Sequence, residues 1–317
     1  MATYSILNQD QAQKILHLYG NFQIKELQAL STGISNSNYC VSTQKGELVL
    51  KISNDKGPKE LLEEQEILQF LQQSGFKYSL GPLKTLNGEL VYHLPPFWGV
   101  VYPFIKGEVP KISAQTCQEM GIVLGELHLI SQKKTIPENV RRYSHIGDDA
   151  QKITAFINNP KAPKDFIQTF YQVFPQGLGY YINLAFPTGL IHGDFYYDNT
   201  LFKDGKLQVV LDFEQAGIGQ FILDLGIAIG GSCLELCNNI WEISPKLIQA
   251  FINGYELKRK LDQIEKNQLT TSIYLGLFSI ALWRIKRFTV GNLDPSKKNS
   301  YQELLLRVKR FKSLEKS

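Results

Sequence analysis

An aspartate, an asparagine and a second aspartate recur at short spacing late in the chain. Asp194 and Asn199 follow the apolar run Leu190-Ile191-His192-Gly193, and Asp212 closes Val209-Val210-Leu211. A Lys203-Asp204-Gly205-Lys206 turn joins the two short apolar segments and brings the three side chains toward one place. Two carboxylates and an amide so grouped suit the binding of Mg²⁺ on a nucleotide triphosphate while one carboxylate orients a hydroxyl for attack. Asp194, in a tight turn, can accept a hydrogen bond from that hydroxyl and take its proton late in phosphoryl transfer. Asn199 offers Mg²⁺ a neutral oxygen and Asp212 a charged one. Asp198 suits a cap on the turn, because Asx side chains bond nearby backbone N–H groups. His192 reads as a structural residue tying the loop to the backbone, with no proton-transfer role. Asp224 sits among Phe221, Ile222, Leu223 and Leu225 and needs partners there. Backbone N–H groups near the Asp194 turn are expected to supply them.

Earlier in the chain, Lys51 ends the strand-like run Leu48-Val49-Leu50-Lys51-Ile52 and shares a face with Val49 by alternation. A lysine there can bridge the α- and β-phosphates of a nucleotide if a glutamate holds it. Glu64 is the candidate partner, with Glu63 and Glu66 as near rivals; a solvated strand-end lysine is the other reading. The loop Gly33-Ile34-Ser35-Asn36-Ser37-Asn38 is small and polar, and its backbone around Ser35 and Asn36 can meet phosphate oxygens. A plain β-turn is the alternative.

The elements that must position these residues fall into two groups. A helix over 8–19 precedes strands at 24–30, 38–43 and 47–53, with a hairpin turn at 44–46. A helix over 59–73 stops at Ser74-Gly75. Asn87-Gly88 marks a second hairpin between 83–86 and 89–94, followed by a strand at 97–104. Lys106-Gly107-Glu108-Val109-Pro110 reads as a connector. Beyond it the chain is mainly helical, over 113–130, 148–157, 163–173, 178–185, 219–236, 245–258, 262–288 and 299–313, with a β-rich insert at 189–212. The expected fold is α+β, with an antiparallel-sheet domain over 1–105 and a mainly helical domain over 106–317. The first would bind nucleotide; the second would carry catalysis and the acceptor.

Bulk properties narrow the field. The 317 residues are 43% hydrophobic and 20% charged, and the net charge of +4 is spread along the chain. That bias is too weak to argue for nucleic acid. No run approaches 18 apolar residues, so no membrane span is expected. Met1-Ala2-Thr3-Tyr4 lacks the basic and apolar regions of a signal peptide. Four scattered cysteines, Cys40, Cys117, Cys233 and Cys237, read as reduced thiols of a cytoplasmic protein. Cys233 and Cys237 would share a face if their segment is helical.

With these residues in view, the chain resembles the aminoglycoside phosphotransferase and choline kinase superfamily. His192-Gly193-Asp194, Asn199, Asp212-Phe213-Glu214 and Asp224-Leu225 look like its signature, and the likeness covers nearly the whole chain. It implies a protein-kinase-like bilobal fold and ATP-dependent, Mg²⁺-assisted transfer of a phosphoryl group to a hydroxyl of a small metabolite. It implies Asp194 as catalytic base, Asn199 and Asp212 as Mg²⁺ ligands, and Lys51 as the phosphate contact paired with Glu64. Tyr102-Pro103-Phe104-Ile105 looks like the hinge that meets adenine, through Tyr102 and Phe104.

Three shorter matches resemble the bacterial homoserine-kinase branch and imply homoserine as acceptor: Gly33 to Tyr39, Trp98 to Gly107, and Leu293-Asp294-Pro295 with Tyr301. Ser35 stands where that branch has an acidic residue. Aminoglycosides, choline and ethanolamine are the rival acceptors. Glu214 could meet a substrate amine. Arg284 or Arg287, beside Trp283, could meet a carboxylate bidentately, or be helix-surface cations. Glu138, Asp148 and Asp149 lie near Arg141 and Arg142, so the 138–150 stretch has no decisive acidic excess for an aminoglycoside. An inactive nucleotide-binding protein is a further alternative, against which Asp194, Asn199, Asp212 and Lys51 together argue. A protein substrate is disfavoured because Asp224 follows Asp212 by only twelve residues, leaving no activation segment of useful length for it to dock against.

Overall fold

In Leu48-Val49-Leu50-Lys51-Ile52 the two leucines and Ile52 fall on one side of an extended chain, and Val49 and Lys51 on the other. That alternation builds the first of two compact units, Met1–Lys106 and Gly107–Ser317. The structure, a computed structural model, describes residues 6–30, 36–54, 56–140, 149–237 and 239–314.

The first unit runs α1 (Gln9–His17), β1 (Ile24–Ala29), β2 (Asn36–Thr43), β3 (Gly46–Ser53), α2 (Pro58–Gln73), β4 (Tyr92–Leu94) and β5 (Phe97–Pro103). Its strands form an antiparallel sheet in the order β1-β2-β3-β5-β4. Leu48, Leu50 and Ile52 pack with Tyr39, Val41 and Val101 against Ala12, Ile15 and Leu16 of α1. A reciprocal Asn8/Gln11 capping box starts that helix. The other face carries Lys51, whose strand partner is Val100, and Tyr102, whose partner is Val49. Helix α2 lies on this face, tied by a Tyr102 hydroxyl to Gln65 Oε1 bond of 2.8 Å.

The expected hairpin across Asn87-Gly88 does not form. Those residues make a tight turn held by Gly88 N–H to Thr85 O, 2.8 Å. Leu83 donates instead to Val101 O at 2.8 Å, and β4 pairs with β5. The turn signal was local, while the pairing partner was set by the longer apolar strand β5.

The second unit adds α3 (Ala114–Lys133), α4 (Ala150–Ile157), α5 (Lys164–Val173), α6 (Gly179–Ile182), β6 (Thr188–Ile191), β7 (Thr200–Lys203), β8 (Lys206–Val210), β9 (Gly217–Gln220), α7 (Phe221–Ser232), β10 (Leu234–Cys237), β11 (Ile240–Ile243), α8 (Pro245–Glu256), α9 (Gln263–Arg284) and α10 (Gln302–Leu314). Helix α7 is buried along its whole length. It crosses α9 at Gly226 and Gly276, where a Cβ on Gly226 would meet Ser272 O at 2.0 Å. Only glycine permits that approach, and it sinks Asp224 into the unit's centre. Two small antiparallel ladders, β6 with β9 and β7 with β8, lie beside these helices in sequence and carry the candidate residues.

The helix expected over 219–236 ends at Ser232, and β10 and β11 form a hairpin instead. Asn239 turns the chain between these two strands at a φ of 61°. Cys233 is therefore buried at the end of α7 and Cys237 exposed at the end of a strand, so no shared helical face exists. The last expected turn of α9 is π-helical over Ile285–Val290. No helix among the described residues is long and apolar enough to cross a membrane.

Candidate active site

The turn after β6 is built around Asp224. Its Oδ1 accepts from Gly193 N–H at 2.8 Å and its Oδ2 from His192 N–H at 2.9 Å. His128 of α3 adds a third bond, Nε2 to Oδ2 at 3.0 Å. Burial raises the Asp224 pKa, but these donors outweigh it and hold the carboxyl below its usual range. Gly193 sits at a φ of 79°, a conformation suited to glycine that reverses the chain just before Asp194.

His192 is buried and joins two segments. Its Nδ1 accepts from Asp194 N–H at 3.2 Å, so its Nε2 donates, to Leu211 O at 2.9 Å. Burial lowers its pKa, which suits the neutral ring. The Asp194 turn is thereby clipped to the residue before Asp212. A main-chain bond from Leu211 N–H to Asn199 O, 2.8 Å, closes the same junction. The structure thus brings Asp194, Asn199 and the start of the Asp212 turn together.

Asn199 Nδ2 donates to the Asp194 main-chain oxygen at 2.8 Å and to its carboxylate Oδ2 at 3.2 Å. Asp212 adopts left-handed backbone, φ 59° and ψ 63°, a conformation that costs on the order of 1 kcal/mol in a non-glycine residue. Burial pushes the Asp194 pKa well above the carboxylate range, and the negative charges of Asp212 and Glu214 add to the push. Glu214 is buried within a 3₁₀ turn directly after Asp212. Asp198 is exposed in the 3₁₀ turn Tyr197–Asn199. Among the described residues, no three His, Cys, Asp or Glu side chains are grouped to hold a metal ion by themselves.

In the first unit, Lys51 is buried and its Nζ lies 3.4 Å from Glu64 Oε1. Of the three glutamates considered, Glu64 is the one turned inward, at 2% exposure. Asn36 opens β2, buried and paired with Ser53; Ser35 lies outside the described residues, as do Arg141, Arg142 and Asp148. Tyr102 is held within the sheet by Val49 and Gln65. Phe104 N–H donates to Glu47 O at 3.1 Å. That N–H is spent on the sheet, so the adenine contact expected of Phe104 cannot run through it in this conformation.

Arg284 ends α9, where Nη1 donates to Ser300 O at 2.7 Å and contacts Glu303 at 3.3 Å. Burial raises the Tyr196 phenol pKa, with Asp194 and Asp212 adding and Arg284 opposing. Arg284 therefore stands within electrostatic reach of the residue two beyond Asp194. Arg287, in the π-helical turn, stacks its guanidinium 5.3 Å from the Trp283 ring centroid. His128 was missed by sequence reading. Its signal was an imidazole at an apolar helical position, one residue after Leu127, that Asp224 required as a partner.

A profile of the APH phosphotransferase enzyme family matches residues 26–265, and the chain belongs to that family. It is 26% identical to homoserine kinase of Neisseria meningitidis serogroup B over an alignment of 315 positions that covers 96% of this chain and 99% of that protein. Among solved structures it is similar to amicoumacin kinase in complex with AMP-PNP, Ca²⁺ and Ami, with a TM-score of 0.72 and 18% identity over 95% of this chain and 93% of that one. A microcompartment-associated aminopropanol kinase gives a TM-score of 0.65 and 18% identity over 96% and 98%. At such identity the structural likeness speaks for the fold, which is the protein-kinase-like α+β fold. The chain is a phosphotransferase of that family.

Proposed function

We propose that this protein transfers the γ-phosphoryl group of ATP to the hydroxyl of homoserine. The observation that carries the chemistry is the Asp194 turn, clipped by Asp224 and His192 and hydrogen-bonded to Asn199. The choice of acceptor rests on the end-to-end similarity to a homoserine kinase.

In this reading Asp194 accepts a hydrogen bond from the acceptor hydroxyl. It removes that proton as the oxygen bonds to the γ-phosphorus and the bond to the β–γ bridging oxygen breaks, releasing ADP. Lys51, held by Glu64, contacts the nucleotide phosphates. Asn199 and Asp212 would hold Mg²⁺. One carboxylate and one amide oxygen are too few for an all-protein cage, but they match an ion whose remaining ligands are phosphate and water. When bound, the ion neutralises phosphoryl charge and offsets the Asp212 charge that raises the Asp194 pKa. Most of the acceleration comes from positioning and fixed charge. Arg284 is the candidate partner of the homoserine carboxylate, and Glu214 of its ammonium group. The first unit serves the nucleotide and the second the acceptor.

ADP release should be measured with homoserine, choline, ethanolamine, an aminopropanol and several aminoglycosides. Turnover with homoserine well above the others is expected. Clear turnover of an aminoglycoside with none of homoserine overturns the acceptor assignment.

A further inference from the structure

Behind the Asp194 turn runs a buried polar chain that reaches the start of α9. His128 Nε2 donates to the ionised Asp224, so in the neutral ring Nδ1 is left as an acceptor. Tyr255 Oη lies 2.7 Å from Nδ1 and must donate to it. That hydroxyl in turn accepts from Arg259 Nη1 at 3.0 Å. Arg259 Nη2 donates to Glu265 Oε2 at 3.0 Å, and its Nε to Gln132 Oε1 at 3.2 Å. Glu265 is itself fixed by the capping box at the head of α9. Its Oε2 accepts from Asp262 N–H, and its own N–H donates to Asp262 Oδ1.

Tyr255, His128, Asp224 and Glu265 are fully buried, and Arg259 is 5% exposed. Phe221 packs against two members of the chain. The His128 ring stacks on it at 4.5 Å and the Arg259 guanidinium at 4.6 Å, measured between centres. From Arg259 to Asp224 every donor points the same way, toward the carboxylate. Hydrogen bonds so aligned polarise one another. None of these contacts touches Asp194, and sequence separations of 96 and 127 residues mean that only the fold assembles them.

We propose that Tyr255, Arg259 and Glu265 are positioning residues for phosphoryl transfer. They lock His128 in the Nε2–H tautomer, and His128 with Asp224 holds the His192-Gly193 turn from which Asp194 projects. The effect on turnover rests on the role proposed for Asp194; the effect on the turn does not. Losing the Tyr255 hydroxyl leaves a buried Nδ1 acceptor without its donor. The ring can then shift to the Nδ1–H tautomer, which faces Asp224 with a lone pair instead of a proton.

The test uses the full-length Tyr255→Phe and Glu265→Gln variants, the second retaining an oxygen for the Asp262 N–H. Three quantities are read: hydrogen exchange of the His192 and Gly193 amides, the ¹⁵N shifts of the His128 ring, and ATP-dependent turnover. In Tyr255→Phe the two amides should exchange at least about tenfold faster while amides in the middle of α9 are unchanged, and the Nδ1 acceptor signature should weaken. Turnover should fall about tenfold in kcat with the KM for ATP unchanged. Glu265→Gln should show the same pattern, more weakly. Unaltered amide exchange and ring shifts in both folded variants overturn the proposal, as does a uniform rise in exchange across α7, α8 and α9, which marks general destabilisation. Altered exchange with no turnover by the parent protein would instead overturn the kinase reading and leave the relay standing.

Discussion

Asn199 gives two hydrogen bonds to one residue, through Nδ2 to the main-chain oxygen of Asp194 at 2.8 Å and to its carboxylate at 3.2 Å. Both amide hydrogens are thereby committed, and the amide oxygen is the atom these bonds leave for a cation. The same bonds hold the Asp194 carboxylate in one orientation, so the proposed base and the proposed metal ligand are set as one piece.

Asp194→Asn preserves that geometry, because an amide oxygen can still accept from Asn199. It removes the proton acceptor, and kcat should fall about 10³-fold while ATP affinity stays within a few-fold. Steady-state turnover paired with nucleotide titration checks this; wild-type turnover in the variant would sink the assignment of the base.

Glu64→Gln keeps the shape of the partner of Lys51 and removes its charge. The pair is buried, so loss of one charge should cost on the order of 1–3 kcal/mol in stability. The KM for ATP should rise about tenfold, with the KM for homoserine little changed. A thermal melt and initial-rate kinetics separate the two effects, and an unchanged KM for ATP would remove Lys51 and Glu64 from the nucleotide site.

Arg284→Met should raise the KM for homoserine about 10- to 100-fold, the scale of a lost charge-assisted pair. Ethanolamine, which has no carboxylate, should be turned over as by the parent protein. Because Arg284 also holds Ser300 and Glu303, a melting curve must accompany the kinetics. Equal losses for both acceptors would reduce Arg284 to a structural tie.

Acid should destabilise the fold in a defined window. Burial lowers the pKa values of His128 and His192 below the ordinary value of about 6.5. The unfolded chain gains protons as pH falls through about 6.5 while the native state refuses them, so stability is complete above that pH and declines below it. The slope should approach about 1.4 kcal/mol per pH unit for each histidine. The lowered Asp224 pKa adds a loss only nearer the carboxylate range, as pH falls through its folded value. Melting temperatures between pH 8 and pH 5 should fall less steeply in His128→Gln than in the parent; equal slopes would show that His128 titrates normally.

Asp194, Asn199, Asp212 and Lys51, the site proposed for phosphoryl transfer, could be picked out from residue type and spacing, because that chemistry needs particular donor atoms and those are written in the chain. The sheet and helix order was legible for the same kind of reason: alternation and helical spacing are local. Asp224 could be seen to need partners, since an isolated carboxylate among apolar residues is costly. What the sequence could not settle was which partners would come. His128, Tyr255 and Glu265 come from three helices and Arg259 from the turn between the last two, with His128 lying 96 and 127 residues from its partners Asp224 and Tyr255, and no local pattern encodes such a meeting. The same limit explains the hairpin misplaced at Asn87-Gly88 and the helix drawn past Ser232 to residue 236. A turn residue marks where the chain bends, but tertiary packing chooses the partner strand and decides where a buried helix must stop.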